Sequence, residues 1–168
     1  MNLLLPTVQD FEIQKLLGVW YEIARLPTDF EPDDCTDVST VYSLENNRHL
    51  RVDNRCRNTE GQVLHAIGHA KIVDAAHGKL DLTFLPEGFR WIPFLNSPYW
   101  VFKVDQDYET ILLGNPNLKS LWILSRDTTI ARDRLRDYQL HAKNLGFDLD
   151  DLIYTLHTAK PTMQDSSV

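Results

Sequence analysis

Cysteine is scarce, with two residues in 168, and no stretch is apolar over the roughly 20 residues that a membrane-spanning helix requires. The two, Cys35 and Cys56, are too few for a zinc cage unless histidines join them, and read as one disulfide or two buried thiols. Basic residues are in deficit, 17 against 24 acidic, giving a net charge of −7 and a pI near 5.3. Phosphate-rich partners need a basic surface field, so nucleic acid is not an expected partner. The sequence has no Gly-x-Ser-x-Gly elbow, no phosphate loop, no His-Glu-x-x-His stretch, no internal repeat and no domain linker. Met1-Asn2-Leu3-Leu4-Leu5-Pro6 lacks a basic leader, a long apolar segment and a small-residue cleavage site, so the chain as written is expected to be soluble and unexported.

What is present is a series of short runs with the two-residue alternation of half-buried strands. After a helical turn within residues 8–17 the first is Gly18-Val19-Trp20-Tyr21-Glu22-Ile23-Ala24-Arg25, which stops before Pro27. Others follow near residues 36–44, 49–56, 62–73, 79–85, 99–104, 109–114 and 121–126, separated by turn formers such as Glu45-Asn46-Asn47-Arg48 and Asp105-Gln106-Asp107-Tyr108. A meander of eight strands removes its edges by closing. The expected fold class is therefore all-β: one domain over 1–168, an eight-stranded antiparallel up-and-down barrel spanning about 18–126. Beyond Arg126 the period changes. Thr129 is placed to cap a helix over about 130–145, with Ile130, Leu135, Tyr138, Ala142 and Leu145 on one stripe and Gly146 as its stop. That helix packs outside the barrel, and a short strand near 152–156 pairs with the first.

In such a barrel the first strand begins and the eighth ends at the same end, so Trp20 and Arg126 meet there. A guanidinium over an indole face contributes about 0.5 to 2 kcal/mol and caps nearby carbonyls. The hairpin over 36–56 brings Cys35 near Cys56, within the reach of a disulfide.

Gly18-x-Trp20 on the first strand, Asp107-Tyr108 in the turn between strands six and seven, and Arg126 at the end of the eighth resemble the three motifs of the lipocalin family. The first and last phrases are most similar to bacterial lipocalins of the outer-membrane lipoprotein type, with plant temperature-induced lipocalins and apolipoprotein D as relatives. The resemblance covers about residues 10–157. It departs from the pattern at Gln106, where threonine is usual, and in the missing lipid-attachment signal, so membrane anchoring is not carried over. It implies a calyx, open at one end, that binds, stores or transports a small lipophilic ligand such as a fatty acid or lysophospholipid in membrane maintenance. It also implies a periplasmic or outer-membrane location if a signal has been removed. No cofactor is implied.

Strand parity selects Tyr42, Val52, Asn54, Leu82, Phe84, Trp100 and Trp122 as lining residues, with Phe30 at the rim. The segment 86–98 carries three prolines yet is apolar, with Phe89, Trp91, Ile92, Phe94 and Leu95. It joins the strands at the mouth, where it either folds over the opening or is offered to a membrane surface or a second copy of the chain. A similar loop in plant relatives is associated with membrane contact. His65, His69 and His77 invite a metal, but His65 and His69 lie about 13 Å apart on an extended strand, too far to share an ion, so no metal site is expected. Glu22, inward by parity, reads as a hydrogen-bonding group. An enzyme acting on a lipid or carotenoid inside such a barrel, and a haem or tetrapyrrole carrier, are the alternatives.

Overall fold

Eight antiparallel strands close on themselves in the computed structural model, which describes residues 5–28, 31–84 and 96–158. They are β1 (Gly18–Arg25), β2 (Thr36–Asn46), β3 (His49–Arg57), β4 (Val63–Asp74), β5 (Lys79–Thr83), β6 (Ser97–Val104), β7 (Thr110–Gly114) and β8 (Leu121–Ser125). Each pairs with the next, and β8 returns to β1 through Tyr21–Ser125 and Glu22–Leu124. The closure matters because an unpaired edge is a row of unsatisfied N–H and C=O groups.

The seam between β1 and β2 is paired only from Gly18 to Tyr21. Above it the C-terminal segment fills the gap. The short strand β9 (Ile153–Tyr154) pairs with Ala24 and Arg25. Thr155 N–H then donates to the Ile23 carbonyl at 3.0 Å, and the Leu156 carbonyl accepts from Asp37 N–H at 2.9 Å. Backbone groups that a splayed barrel leaves orphaned are thereby satisfied.

A short helix, α1 (Ile13–Leu16), precedes β1, and Phe11 and Leu16 bury themselves in the barrel's inner core at the end where β1 begins. The long helix α2 (Arg132–Leu145) lies on the outer wall, with Tyr138 and Ala142 buried and the Tyr138 hydroxyl donating to the Thr110 carbonyl at 2.9 Å. Thr129 is not its cap. The helix starts at Arg132 with Ala131 in the capping position, because the first helical bond runs from Leu135 N–H to the Ala131 carbonyl; Asp133 places favourable charge in the first turn instead. It ends at Gly146, whose φ of 109° is open to glycine.

The barrel wall therefore separates two apolar cores. Tyr42, Val52, Leu80, Leu82, Tyr99, Val101 and Leu124 belong to the inner one; Trp100, Phe102, Leu112, Ile123, Tyr138 and Phe147 belong to the one beneath α2.

Candidate functional site: the cup and its sealed base

At the base, the Arg126 guanidinium carbon lies 3.8 Å from the centroid of the Trp20 ring, which is wholly buried. The same guanidinium donates to the carbonyls of Lys15 (2.7 Å), Val19 (2.8 Å), Leu17 (3.1 Å) and Tyr108 (3.3 Å). The Trp20 indole N–H donates to the Leu16 carbonyl at 2.8 Å. Gly18 is required beside them: its φ is 102°, and a Cβ there would stand 3.3 Å from Arg126 Nη1. Tyr108, in the left-handed region at φ 53°, points its hydroxyl at the chain entering from below, where it accepts from Glu12 N–H at 3.0 Å. The turn that carries Asp107 and Tyr108 is built on Asp105, whose carboxylate accepts from the N–H groups of Glu109 and Thr110, each at 2.7 Å, and of Asp107 at 3.3 Å. Asp105 is the first of the turn formers in that segment, and an aspartate opening a turn is the usual source of such bonds.

Above this floor the inner wall has two characters. Leu82 and Phe84 from the β5 side, Tyr99 from β6, and Trp122 and Leu124 from β8 make an apolar side; Glu22 from β1, Thr40 from β2, Asn54 from β3 and Glu31 from the loop after β1 make a polar one. Between them is a slot of about 20 Å³, close to the size of one water molecule. It meets a second pocket of about 120 Å³ at the mouth, lined by Pro32, Val38, Arg55, Cys56, Leu64, His65 and Ala66, and the two cavities share Glu31, Val38 and Asn54. Cys35 and Cys56 are joined by a disulfide on this side of the barrel, with their Cα atoms 5.7 Å apart.

The polar atoms of the slot are largely paired. Thr40 Oγ1 donates to Asn54 Oδ1 at 2.7 Å, and the Tyr42 and Tyr99 hydroxyls share a hydrogen bond of 2.6 Å. Burial pushes both phenols up from their ordinary pKa, so they stay neutral hydroxyls. Glu22, 2% exposed, accepts from Arg25 Nη1 at 2.8 Å and from Thr155 Oγ1 at 2.7 Å. Burial raises its pKa, while Arg25 and Thr155 work against the rise. Arg25 is itself fully buried; its Nη2 donates to the Pro32 carbonyl at 2.6 Å and its Nε faces Glu31 at 3.3 Å.

Val52, Asn54, Leu82, Phe84 and Trp122, chosen from strand parity, thus stand around the slot, and Tyr42 lies in the same inner core. Trp100 does not. It faces outward beneath α2, its ring 6.5 Å from that of Phe102, and its neighbour Tyr99 holds the inner position. The reason is that α2 makes the outer face of β6 as apolar as the inner one, so alternation there no longer distinguishes inside from outside. Phe30 and the apolar set Phe89, Trp91, Ile92, Phe94 and Leu95 lie outside the described residues.

Parity also concealed Arg25. Residues three apart on a regular strand point to opposite faces, but the register of β1 against β8 shifts between Glu22 and Ala24, and this bulge brings Arg25 round to Glu22. The only signal was a pair of opposite charges in an otherwise apolar strand. The histidines are not brought together: His65 bonds to Asp53, His69 to Glu45 and His77 to Asp74. Among the described residues no group of His, Cys, Asp and Glu has the arrangement of a metal site. A wider cavity of about 460 Å³, lined by Glu45, His49, His69, Lys71 and Asp81 among others, lies on the outer face of the wall rather than in the cup.

Comparisons with known proteins agree with this geometry. The family model described as a lipocalin-like domain matches residues 11–157. The chain is 36% identical to the outer membrane lipoprotein Blc of Vibrio cholerae over 150 residues, covering 88% of this chain and 83% of that protein. It is 27% identical to temperature-induced lipocalin-1 of Arabidopsis thaliana, over 94% of this chain and 85% of the other. Among solved structures, insecticyanin from the tobacco hornworm Manduca sexta superposes with a TM-score of 0.68 at 21% identity, over 90% of this chain and 83% of that one. Lobster apocrustacyanin A1 does so at 0.66 and 16% identity, over 91% and 83%. With a barrel sealed by Trp20 and Arg126, a cup above it and a family match over most of its length, the chain belongs to the lipocalin family.

Proposed function

We propose that the protein binds and carries one single-chain lipid, a fatty acid or a lysophospholipid, without converting it, in the maintenance of a membrane. Members of the family bind small hydrophobic ligands. The observation that carries the narrower reading is the two-sided slot: an apolar wall of Leu82, Phe84, Trp122 and Leu124 faces a polar wall of Glu22, Glu31, Thr40 and Asn54. One hydrocarbon chain with one polar end matches that division. Each methylene buried contributes about 0.8 kcal/mol before the cost of association is subtracted.

The slot of about 20 Å³ is far below the roughly 300 Å³ or more of a filled ligand pocket. Uptake therefore displaces side chains, and Phe84 is the one placed to yield. Its ring stands in the space over Gly68, where a Cβ would lie 2.6 Å from it, at the end of β5 nearest the mouth. Similarity to outer membrane lipoproteins, together with the Cys35–Cys56 bridge, supports a place in the periplasm or at the outer membrane, where disulfides persist.

Native mass spectrometry of the purified protein with lipid extraction, and titration of its tryptophan emission with palmitate and 1-palmitoyl-lysophosphatidylcholine, test the proposal. A co-purified acyl lipid and saturable quenching at one site per chain are expected. A protein that carries no lipid and takes up neither probe overturns it; a tetrapyrrole absorption band or a turned-over product points to another function.

A further inference from the structure

Glu31 stands where the mouth pocket meets the slot, and its surroundings are unbalanced. Two carboxyl groups, Glu22 and Glu31, share one guanidinium, that of Arg25. Arg25 is wholly enclosed by these groups: Nη1 donates to Glu22, Nη2 to the Pro32 carbonyl, and Nε faces Glu31 at 3.3 Å without forming a hydrogen bond. Glu31 Oε1 is buried and accepts no hydrogen bond, its carboxyl lying within hydrogen-bonding reach of Glu22, while the side chain as a whole is 13% exposed and lines both cavities. From the geometry we infer that this junction favours ligands whose polar end is a cationic nitrogen and disfavours those ending in a carboxylate, with Glu31 as the selecting residue. The inference rests on the carrier reading above and narrows it.

The physical argument is one of charge. An arriving carboxylate cannot reach the fully buried guanidinium and meets instead two carboxyl groups, Glu22 and Glu31, that already share one positive charge in a site of low dielectric. A cationic nitrogen supplies the positive charge that the second carboxyl lacks. Burial and the neighbouring Glu22 push the Glu31 pKa up to about 8, with Arg25 opposing, so at neutral pH the group holds its proton. When the nitrogen arrives, the Glu31 O–H proton passes to solvent and the carboxylate pairs with the ligand. Other charged groups nearby are engaged elsewhere. Arg55 and His65, across the mouth pocket, are both turned to Asp53, and His157 is bonded to the Glu22 carbonyl.

Isothermal titration calorimetry of the full chain with dodecyltrimethylammonium, dodecanoate and dodecanol, all below their micellar concentrations, separates charge from chain. At pH 7 dodecyltrimethylammonium is expected to bind about tenfold or more tightly than dodecanoate. Titration in buffers of different ionisation enthalpy is expected to show release of nearly one proton, which disappears at pH 9. Glu31→Gln brings the two affinities together and abolishes the proton release; if that variant does not fold, the wild-type proton count decides. Dodecanoate binding as tightly as the cation, a preference that survives Glu31→Gln, or cation binding without proton release overturns the inference. Dodecanol binding with no difference between the charged probes overturns it while the carrier reading stands; binding of none of the three overturns both.

Discussion

Replacing Arg126 by methionine keeps an unbranched stem over the Trp20 ring and removes the guanidinium, so the change in stability reports what the charge does at the base. The cation held 3.8 Å from the indole centroid contributes about 1 kcal/mol. The half-buried bonds to the Leu17 and Tyr108 carbonyls contribute about 1 kcal/mol each. Those to Lys15 and Val19 end in exposed surroundings, where water replaces the donor at little net cost. The expected loss is about 3 kcal/mol, a large part of the roughly 5 to 15 kcal/mol that holds a domain folded. For a chain of this size each kcal/mol moves the melting temperature by about 2 to 4 °C, so Arg126→Met is expected to melt roughly 6 to 12 °C lower. Arg126→Lys, which keeps a charge but not the planar fork, falls between. Scanning calorimetry and urea unfolding followed by tryptophan emission measure it. Because Arg126 sits at the end away from the cup, the affinity for palmitate at 25 °C is expected to persist. Melting within about 2 °C of wild type would refute the claim that this contact seals the base.

Four further outcomes follow from single contacts. Tyr42→Phe leaves the Tyr99 hydroxyl buried without its partner and lowers stability by about 1 to 3 kcal/mol, whereas Tyr42→Phe with Tyr99→Phe recovers part of the loss; urea midpoints that simply add contradict this. Reducing the Cys35–Cys56 bridge, which closes a loop of sequence separation 21, costs about 3 kcal/mol, and identical melting with and without dithiothreitol would count against it. Glu31 is raised to about 8 in the folded chain against about 4.3 when unfolded, so the folded state binds more protons over that window. Its contribution to stability is full below about pH 4.3 and is lost as pH rises through about 8; in urea midpoints taken across that range Glu31→Gln flattens the decline, with Glu22 supplying the remainder, and an unchanged slope removes the argument. Trp91→Ser with Phe94→Ser is expected to weaken co-sedimentation with anionic phospholipid vesicles, and binding equal to wild type sinks the membrane role of that segment.

The order of strands, the outer helix and the meeting of Trp20 with Arg126 were legible because each rests on a strong local signal: two-residue alternation, a turn between runs, or a change to helical period. The lining was legible where one face of a strand meets solvent. On β5, Leu80 and Leu82 are buried inward, while Lys79 and Asp81 are only partly covered on the other face. On β6 that contrast is missing, since both Tyr99 and Trp100 are buried, in different cores, and parity places Trp100 inside when it lies beneath α2. The polar side of the slot was legible only in Asn54 and Glu22. Arg25 arrives through a bulge, and Glu31 belongs to a loop whose docking depends on Arg25, so neither has a periodicity to betray it.

The same side chains that make the cup apolar also fill it. Tyr99 stacks edge-on against Trp122 with ring centroids 5.5 Å apart, Tyr99 is tied to Tyr42, and the Phe84 ring occupies the space over Gly68. A barrel of eight strands has room for side chains or for about one small ligand, and this one is closed over its own aromatics. That packing lets the fold stand without a guest, because an empty apolar cavity costs stability in proportion to its volume. It also divides the aromatics by role. Tyr42 and Tyr99 share a buried hydrogen bond that movement would break, so they act as fixed wall. The Phe84 side chain carries no nitrogen or oxygen, so unlike the two tyrosines it has no polar group to strand when it moves from Gly68, and under the proposed function a ligand's hydrocarbon would take its place there. Ligand uptake then exchanges one hydrocarbon surface for another, and the preference among ligands falls to the polar groups at the mouth, where Glu22, Arg25 and Glu31 stand.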